Sequence, residues 1–387
     1  MCGSSTHSPN AAAQKELNWQ LRAEKRRKES EKTVLLLGAG QSGKSTFCKQ
    51  LVRLYGKGFD PSLRREQRVQ VINFVVTAFR ELLIYSPSSR PHLPALLTLG
   101  TSGAAVTSSP AFTSSPAFTS SSPPSNAPPP PFDAKRHSAA LDFLFQERNL
   151  HLPDLPPDAV PALQALWEDP ALAPVIECGE LPSVESLGYF VERLSLLASP
   201  EYQPTDDDIV MARQRTSGVT ETRVQHRNLS LRVVDVGGQR SERRKWMHCF
   251  ENVDLVIFFA PLSEYNQVLQ EDARVNRMQE SVSLFREIAS YPLLRKVGIV
   301  VFLNKADLLK DKIKKVPLSS YFTAFKGPDT YDAAVKFVEQ LYLSANQFDR
   351  NIFAHTLTAS HVDSVRLVFD ALILQIRRDN LIASGMI

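Results

Sequence analysis

The apolar positions of the chain first indicate a set of buried strands. Strand-like apolar runs occur in "TVLLLG" (33–38) and, from residue 229 onward, in "LSLRVVDVGG", "DLVIFFAPL", "VGIVVFLNKAD" and "NIFAHTLTA". Runs of this length, bounded by glycine or polar residues, are typical of buried strands. Helical stretches lie between them, so we expect an α/β fold with a mostly parallel, doubly wound sheet.

Apolar residues at helical spacing predict three helices around this sheet. "KSTFCKQLVRLYG" (44–56) predicts a helix directly after the first strand, and residues 11–32 predict a charged helix. "SVRLVFDALILQIRRDNL" predicts the last helix, whose apolar stripe has core packing as its simplest explanation. The stripe consists of Val365, Val368, Phe369, Leu372 and Ile376.

The region from about 62 to 205 has helical spacing throughout and contains no predicted strand. Helices are predicted in "REQRVQVINFVVTAFRELLIY", "HSAALDFLFQERNL", "AVPALQALWEDP" and "SLGYFVERLSLLA", with Pro-rich breaks between them. The strand and helix of 33–58 must share a sheet with the later strands, so this helical region is an insertion. We therefore expect an N-terminal helix (1–32), a sheet domain in two parts (33–60 and 206–387) and an inserted all-helical domain (61–205).

Residues 86–131 within that insertion have low complexity. Ser, Pro, Thr and Ala dominate, and "SSPAFTSSPAFTSS" (108–121) nearly repeats itself. Such a composition buries too little apolar area to offset chain entropy, which predicts a disordered loop. A docking segment and a neutral insertion are both compatible with this composition, because loop closure entropy grows slowly with length.

The composition excludes several classes of protein. Hydrophobic content of 43% and charged content of 22% are typical of a soluble globular protein. The longest apolar runs are too short to cross a bilayer, and the N-terminus lacks a signal-peptide core. The net charge of +4 does not indicate nucleic-acid binding, and the basic run at 22–32 is explained by a solvated helix face. Four scattered cysteines (Cys2, Cys48, Cys178 and Cys249) argue against a zinc site or a disulfide framework and for a reducing compartment.

"LLLGAGQSGKSTF" (35–47) predicts a phosphate-binding loop between the first strand and its helix. Gly38, Gly43, Lys44 and Ser45 match G-x-x-x-x-G-K-[ST] in the strand–loop–helix context that this motif requires. Backbone N–H groups and the helix N-terminus would hold phosphate oxygens, Lys44 would reach the β- and γ-phosphates, and Ser45 would ligate Mg²⁺. The alternative is an ordinary glycine turn before a helix. The nucleotide-binding residues predicted here are Gly38, Gly40, Gln41, Ser42, Gly43, Lys44, Ser45 and Thr46.

"NKAD" (304–307) follows an apolar strand and indicates the base. A carboxylate at Asp307 can accept from the N1–H and the exocyclic amine of guanine, whereas adenine offers an acceptor at N1 and no amine at that edge. Asn304 and Lys305 would brace the loop and cover the ring. The tetrapeptide alone is equally compatible with a surface turn, but beside the phosphate loop it favours guanine over adenine.

"DVGGQRSERRKW" (235–246) follows another strand and adds candidates for the reacting end of the nucleotide. Asp235 is placed to hold Mg²⁺ through water, the Gly238 N–H to meet a γ-phosphate oxygen, and Gln239 to orient an attacking water. A flexible glycine turn is the alternative.

These motifs together resemble the alpha subunits of heterotrimeric G proteins over nearly the whole chain. Further similar stretches are "ALWEDP" (165–170), "RQRTSGVTET" (213–222), "DVGGQRSERRKWMHCFE" (235–251) and "VNRMQESVSLF" (275–285). The resemblance implies a Ras-like P-loop GTPase domain, with the inserted helical domain enclosing GDP or GTP. It implies that Arg213 stabilises charge on the transferred phosphoryl group, that Thr216 is a switch ligand to Mg²⁺ and that Gln239 orients water.

The resemblance also implies partners and a location. The N-terminal helix and the "RSERRKW" region would bind a beta-gamma dimer, and the last helix and tail would meet a seven-helix receptor. The effector is not indicated. The protein is expected at the cytoplasmic face of the plasma membrane as a peripheral protein, and no nucleic-acid partner is expected.

The chain departs from the family pattern at four places. Gln41 stands where the family usually has a glutamate that pairs with the switch arginine, so we expect faster GDP release. In "LTAS" (357–360), Ala359 still matches the position whose backbone N–H meets the guanine oxygen. Cys2 replaces the glycine that myristoylation needs, which leaves Cys2 as a palmitoylation candidate. Ser384 stands where pertussis toxin modifies a cysteine in many members, which implies resistance to the toxin.

The leading prediction is a slow, regulatory, Mg²⁺-dependent GTPase. A nucleotide-locked signalling scaffold with negligible turnover is the alternative, but it does not explain why Arg213, Thr216, Asp235 and Gln239 are all present. An ATP-using P-loop enzyme conflicts with "NKAD" and with the lack of a second substrate site.

Overall fold

The structure is a computed structural model, and it describes most of the chain outside the N-terminus and the low-complexity segment. The described residues are 31–86, 89, 130–146, 149, 152–226, 229–269, 271–272, 274–346, 348 and 350–383, with side chains described as far as Leu374.

In these residues six strands form one sheet in the order β2-β3-β1-β4-β5-β6. The neighbours pair in parallel except β2, which runs antiparallel to β3 at the edge. The predicted doubly wound sheet is therefore confirmed, while β2 was not predicted. The strands are β1 (Glu31–Leu37), β2 (Val219–His226), β3 (Leu229–Val236), β4 (Leu255–Pro261), β5 (Gly298–Asn304) and β6 (Ile352–Thr356).

The helices confirm most of the predicted ones and add α5 and α8 to them. They are α1 (Lys44–Tyr55), α2 (Pro61–Tyr85), α3 (Ser138–Phe145), α4 (Ala159–Trp167), α5 (Ala173–Cys178), α6 (Pro182–Val191), α7 (Leu194–Leu197), α8 (Asp206–Met211), α9 (Arg277–Ala289), α10 (Ala306–Lys312), α11 (Tyr331–Leu343) and α12 (Val362–Ala383). Short 3₁₀ turns cover Arg243–Cys249, Leu262–Glu264, Pro292–Leu294 and Leu318–Ser320. No helix in the described part of the chain is both long enough and apolar enough to cross a membrane.

Two hydrophobic clusters cover the two faces of the sheet. Because side chains alternate along a strand, Val34 and Leu36 of β1 join the cluster that includes Phe47 of α1 and the predicted stripe of α12. Leu35 and Leu37 of the same strand join the opposite cluster with residues of α9, α10 and α11. Val365, Val368, Phe369 and Leu372 of the stripe are buried as predicted, whereas the Ile376 side chain lies outside the described residues.

The helices α2 to α8 bury a third cluster of their own. Phe79 and Leu82 of α2 pack there with Leu163 of α4 and Phe190 of α6, and all four side chains are fully buried. No strand occurs among the described residues from 61 to 211. Helix α1 of the sheet domain contacts the end of this helical part, where Lys49 Nζ donates to the carbonyls of Ile209 and Ala212 at 2.9 and 3.0 Å.

The predicted N-terminal helix is wrong at its end. Glu31 and Lys32 lie in β1, where their backbone pairs with Ser230 and Leu231 of β3. Lys32 Nζ also donates to Asp254 at 2.8 Å, so strand pairing and an ion pair together outweigh the helical preference of this charged run. Residues 1–30, almost all of the predicted loop at 86–131, and Ser384 lie outside the described residues.

Candidate functional site

The phosphate-loop motif lies at the carboxyl end of β1, where β1 separates β3 from β4. In open α/β sheets, ligands bind outside the carboxyl ends of the strands at such a point. Two glycines adopt backbone conformations that L side chains rarely reach, with φ of 142° at Gly38 and 104° at Gly43. A Cβ added at Gly43 would lie 2.1 Å from Asn304 Nδ2, so the loop needs glycine for close packing as well as for conformation.

Lys44 is buried at the centre of this loop. Its Nζ donates to the carbonyl oxygens of Gly38 and Ala39, both at 2.9 Å. Burial lowers the pKa of Lys44 to about 8, although nearby Asp235 opposes the shift. A buried cation is costly unless it is paired, so an anion bound at the loop would stabilise the charged amine.

Two hydroxyls and a carboxylate meet beside Lys44. Ser45 Oγ donates to Asp235 Oδ2 at 2.6 Å and lies 2.6 Å from Thr216 Oγ1. Burial raises the pKa of Asp235, and Lys44 acts against that rise. Asp235 Oδ1 is buried and has no hydrogen-bond partner among the described residues. The cluster therefore offers hydroxyl and carboxylate oxygens, the ligand type that suits Mg²⁺.

This cluster differs from sites built of several strong protein ligands. Among the described residues, no group of three or more His, Cys, Asp or Glu side chains could hold a metal ion. The oxygen atoms that could ligate a metal here are mainly hydroxyls. This suits a cation such as Mg²⁺ that retains several water ligands and also binds substrate phosphates.

Asn304 joins the phosphate loop to the loop after β6. Its Nδ2 donates to the Ser42 carbonyl at 2.8 Å, and its Oδ1 accepts from the Ala359 N–H at 2.9 Å. Lys305 follows in the left-handed region, with φ of 63°. Asp307 lies in the first turn of α10, and its side chain makes no hydrogen bond with another described residue. Its carboxylate is thus available to a ligand.

A single cleft of about 510 Å³ brings these distant segments together. Asp235 and Gly38 are not among its lining residues, but they accept hydrogen bonds from Ser45 and Lys44, which line it. Cys2 lies outside the described residues. The predicted residues that line the cleft are Gly40, Gln41, Ser42, Gly43, Lys44, Ser45, Thr46, Arg213, Thr216, Gly238, Gln239, Asn304, Lys305, Asp307 and Ala359.

Gly238 and Gln239 pack directly on the phosphate loop. A Cβ added at Gly238 would lie 2.6 Å from the backbone carbonyl oxygens of Gly38 and Ala39, which explains the need for glycine there. A Cβ at Gly40 would lie 3.1 Å from Gln239 Cγ. The Gln239 Oε1 atom is buried without a partner among the described residues, so this amide is free to engage a ligand or a water.

An ion-pair network that the sequence analysis missed begins at cleft-lining Glu185, Arg213 and Lys305 and continues to Glu264 and Arg277, which do not line the cleft. Glu185 of α6 accepts from Arg213 Nη2 at 2.9 Å and from Lys305 Nζ at 3.1 Å. Lys305 also pairs with Glu264 at 2.8 Å, and Glu264 pairs with Arg277 at 2.8 Å. Burial acts against ionisation of Glu185, but Lys305 and then Arg213 outweigh it and lower the pKa of Glu185 to about 2.

The ion-pair network ends on the phosphate loop. Arg277 Nη2 donates to the Gly40 carbonyl at 2.6 Å. Arg277 lies in the quoted stretch "VNRMQESVSLF", but its role had no signal beyond that similarity. No motif marks Glu185 or Glu264, and neither could have been found without the fold.

The comparisons with known proteins point to one family over nearly the whole chain. A family model described as G-protein alpha subunit matches residues 11–376. The guanine nucleotide-binding protein alpha-17 subunit of Caenorhabditis elegans is 34% identical over 388 residues, covering 100% of this chain and 99% of that protein. The alpha-3 subunit of the same organism is 34% identical over 358 residues, covering 91% and 90%. A guanine nucleotide-binding protein subunit alpha of Cryphonectria parasitica is 33% identical over 395 residues, covering 100% and 99%. The chain belongs to the G-protein alpha subunit family.

Proposed function

We propose that this protein binds GDP and GTP with Mg²⁺ and hydrolyses GTP as a slow signalling switch. The main support for this proposal is that Lys44, the hydroxyl–carboxylate cluster and the Asn304–Asp307 turn converge on one cleft. This arrangement offers a cation for phosphates, oxygen ligands for a metal and a carboxylate for a base. The three groups match the three parts of a Mg²⁺-bound nucleoside triphosphate.

Guanine is the base that this cleft would select. Asp307 would accept from the guanine N1–H and amine, and the Ala359 N–H would meet the guanine oxygen. Asn304 holds the Ala359 backbone in place and joins it to the phosphate loop at Ser42. Adenine would leave the Asp307 carboxylate without donors, which costs affinity at a buried site.

Ser45 and Thr216 would hold Mg²⁺ directly, and Asp235 would hold it through water. The unpartnered Asp235 Oδ1 supports this proposal. When bound, Mg²⁺ would neutralise charge on the phosphate oxygens. Lys44 would bind the β- and γ-phosphate oxygens, and Gln239 would orient the attacking water. Arg213 would stabilise charge on the transferred phosphoryl group.

The test is a single turnover of preloaded GTP, with phosphate release followed in time. The proposal predicts release of one phosphate per chain, and Gln239→Leu should slow it at least about a hundredfold while analogue binding persists. Binding without any measurable release in the unaltered protein would instead support the nucleotide-locked scaffold. Equal binding of ATP would support the ATP-using enzyme.

The domain division and the partners are also proposals. We propose a GTPase domain formed by residues 31–60 and 206–387, an inserted helical domain at 61–205 and an N-terminal helix within residues 1–30. The separate cluster buried by α2 to α8 supports this division. A beta-gamma dimer would bind the N-terminal helix and the "RSERRKW" region, where Met247 is 52% exposed beside buried Trp246. A seven-helix receptor would bind α12 and the tail, and the effector is not identified.

We further propose peripheral attachment to the cytoplasmic face of the plasma membrane through a palmitoyl group on Cys2. The basic run at 22–32 would supply the second signal that stable anchoring needs. A Cys2→Ser variant should lose most of its membrane fraction in cells. An unchanged fraction in that variant would contradict the assignment.

A further inference from the structure

Arg213 is held by two adjacent residues of helix α6. Its Nε donates to Ser186 Oγ at 2.9 Å, and its Nη2 donates to Glu185 Oε2 at 2.9 Å. The third nitrogen, Nη1, is buried and has no partner among the described residues. Arg213 lines the cleft, so two donor groups are occupied by the helical part while one remains available to a ligand.

Glu185 is itself fixed from several sides. Its Oε1 accepts from Gln267 Nε2 at 3.0 Å, and its Oε2 accepts from Lys305 as well as Arg213. The Glu185 side chain is 5% exposed. A carboxylate with this many donors has little rotational freedom, so it can fix the orientation of the guanidinium that it binds.

The phosphate loop does not provide this support. The residue at the position that carries a carboxylate in similar proteins is Gln41, and its Oε1 is buried without a partner among the described residues. No hydrogen bond joins Gln41 to Arg213 in the described part of the structure. The acidic partner of Arg213 therefore comes from the helical part, about 28 residues earlier in the chain.

We propose that Glu185 and Ser186 are positioning residues for GTP hydrolysis, which hold Arg213 so that Nη1 faces a phosphoryl oxygen of bound GTP. The proposal rests on the GTPase function proposed above. In the reaction, water forms a bond to the γ-phosphorus, the bond from that phosphorus to the β–γ bridging oxygen breaks, and the proton of water passes to the phosphate. Arg213 adds only charge stabilisation, so its orientation controls the rate and not the products.

The decisive experiment is a double-mutant cycle on Glu185 and Arg213, with single-turnover GTP hydrolysis as the readout. Glu185→Gln keeps the size of the side chain and an acceptor but removes the charge, so hydrolysis should slow about tenfold. Arg213→Ala should slow it more. In the Arg213→Ala background, Glu185→Gln should cause no further loss, because residues that act through one group are not additive. Losses that multiply in the double variant would overturn the proposal.

Binding of a non-hydrolysable GTP analogue separates positioning from a general structural role. Removing the Glu185 charge leaves Lys305 and Lys312 less compensated in a cleft for an anion, so analogue affinity should not fall. A parallel loss of affinity and of hydrolysis would show that Glu185 only maintains the fold and would overturn the proposal. Ser186→Ala, a milder change, should slow hydrolysis by a smaller factor, and an unchanged rate in both variants would equally overturn it.

Glu177→Gln is the matched control, because it makes the same substitution on α5 at an exposed residue of the same helical part. It should hydrolyse GTP at the unaltered rate. Failure of the proposed function is recognised separately: the unaltered protein would then bind no analogue or release no phosphate. In that case the proposed positioning role of Glu185 and Ser186 is refuted together with the proposed function.

Discussion

Replacing Asn304 by aspartate tests how the cleft is held together. Asn304 is 2% exposed and connects the Ser42 carbonyl to the Ala359 N–H through bonds of 2.8 and 2.9 Å. Aspartate keeps the acceptor for Ala359 but loses the donor to Ser42 and places a carboxylate against that carbonyl. An unsatisfied buried carbonyl together with a buried carboxyl group should cost about 2–4 kcal/mol of unfolding free energy.

For a chain of 387 residues this cost corresponds to a fall in Tm of about 2–5 °C, measured by thermal unfolding. Burial should raise the folded-state pKa of the introduced carboxyl group above its unfolded value. Its stability deficit is therefore smallest at low pH and grows as the pH rises through that folded pKa. The difference in Tm between variant and unaltered protein should narrow as the pH falls from 7.5 towards 5.5.

Asn252→Asp provides the matched control, since it introduces the same charge at an exposed residue. Asn252 has φ of 57°, a conformation that aspartate tolerates, so the change should cost less than about 0.5 kcal/mol. If Asn304→Asp unfolds at the temperature of the control at every pH, the connecting role of Asn304 is refuted.

Four further predictions address the ligand groups separately. Asp307→Asn should weaken GTP binding about 10–100-fold and improve binding of xanthosine triphosphate, whose C2 carbonyl can accept from the new amide. Fluorescence competition measures both affinities. An unchanged preference for GTP over xanthosine triphosphate would contradict the assignment of Asp307 to the base. Because the pKa of Lys44 is about 8, analogue affinity should fall as pH rises from 7 to 9, whereas Lys44→Arg should bind with little pH dependence in the same titration. Gly238→Ala should weaken analogue binding at least about tenfold, because its Cβ would lie 2.6 Å from the backbone carbonyl oxygens of Gly38 and Ala39 in the phosphate loop. Gly188→Ala in α6, with its nearest contact at 3.6 Å, should not weaken binding and should raise stability by about 0.5–1 kcal/mol. Gln41→Glu should slow GDP release if the new carboxylate pairs with Arg213 over the bound nucleotide, since both residues line the cleft, and an unchanged GDP off-rate would contradict this reasoning.

The sheet and the phosphate loop could be predicted because backbone requirements dictate their sequence. A strand segment buried on both faces must be apolar, as β4 is throughout and as β1 and β5 are over residues 34–37 and 299–303. The loop needs glycine at 38 and 43 because of its dihedral angles and close contacts. Such local requirements can be read from the residues alone.

Strand β2 is an element that the apolar pattern of the sequence did not predict. "VTETRVQH" pairs on one side only, and Val224 is its single buried residue. An edge strand with so little burial carries no apolar pattern to detect. Helix α8, in contrast, has a signal that was overlooked: Thr205 and Asp208 form a capping box, with Asp208 N donating to Thr205 Oγ1 at 3.2 Å.

The ion-pair network around Glu185 could not be predicted, because residues far apart in the sequence form it only when they pack together. Glu185 meets Arg213 and Lys305 only after the helical part has packed against the carboxyl ends of the strands. Its local sequence, "PSVESLGYF", is that of an ordinary helix after a proline at its first turn. The fold was therefore needed to recognise that the acidic partner of Arg213 is not on the phosphate loop.

The central claim, a guanine nucleotide switch, is tested most directly by uptake of a non-hydrolysable GTP analogue. The purified full-length protein is incubated with the labelled analogue, Mg²⁺ and excess ATP, and bound label is measured with time. The account predicts saturable uptake approaching one analogue per chain, undiminished by ATP and abolished by excess GDP. No uptake by protein whose folding is verified, or uptake that ATP suppresses, would contradict it.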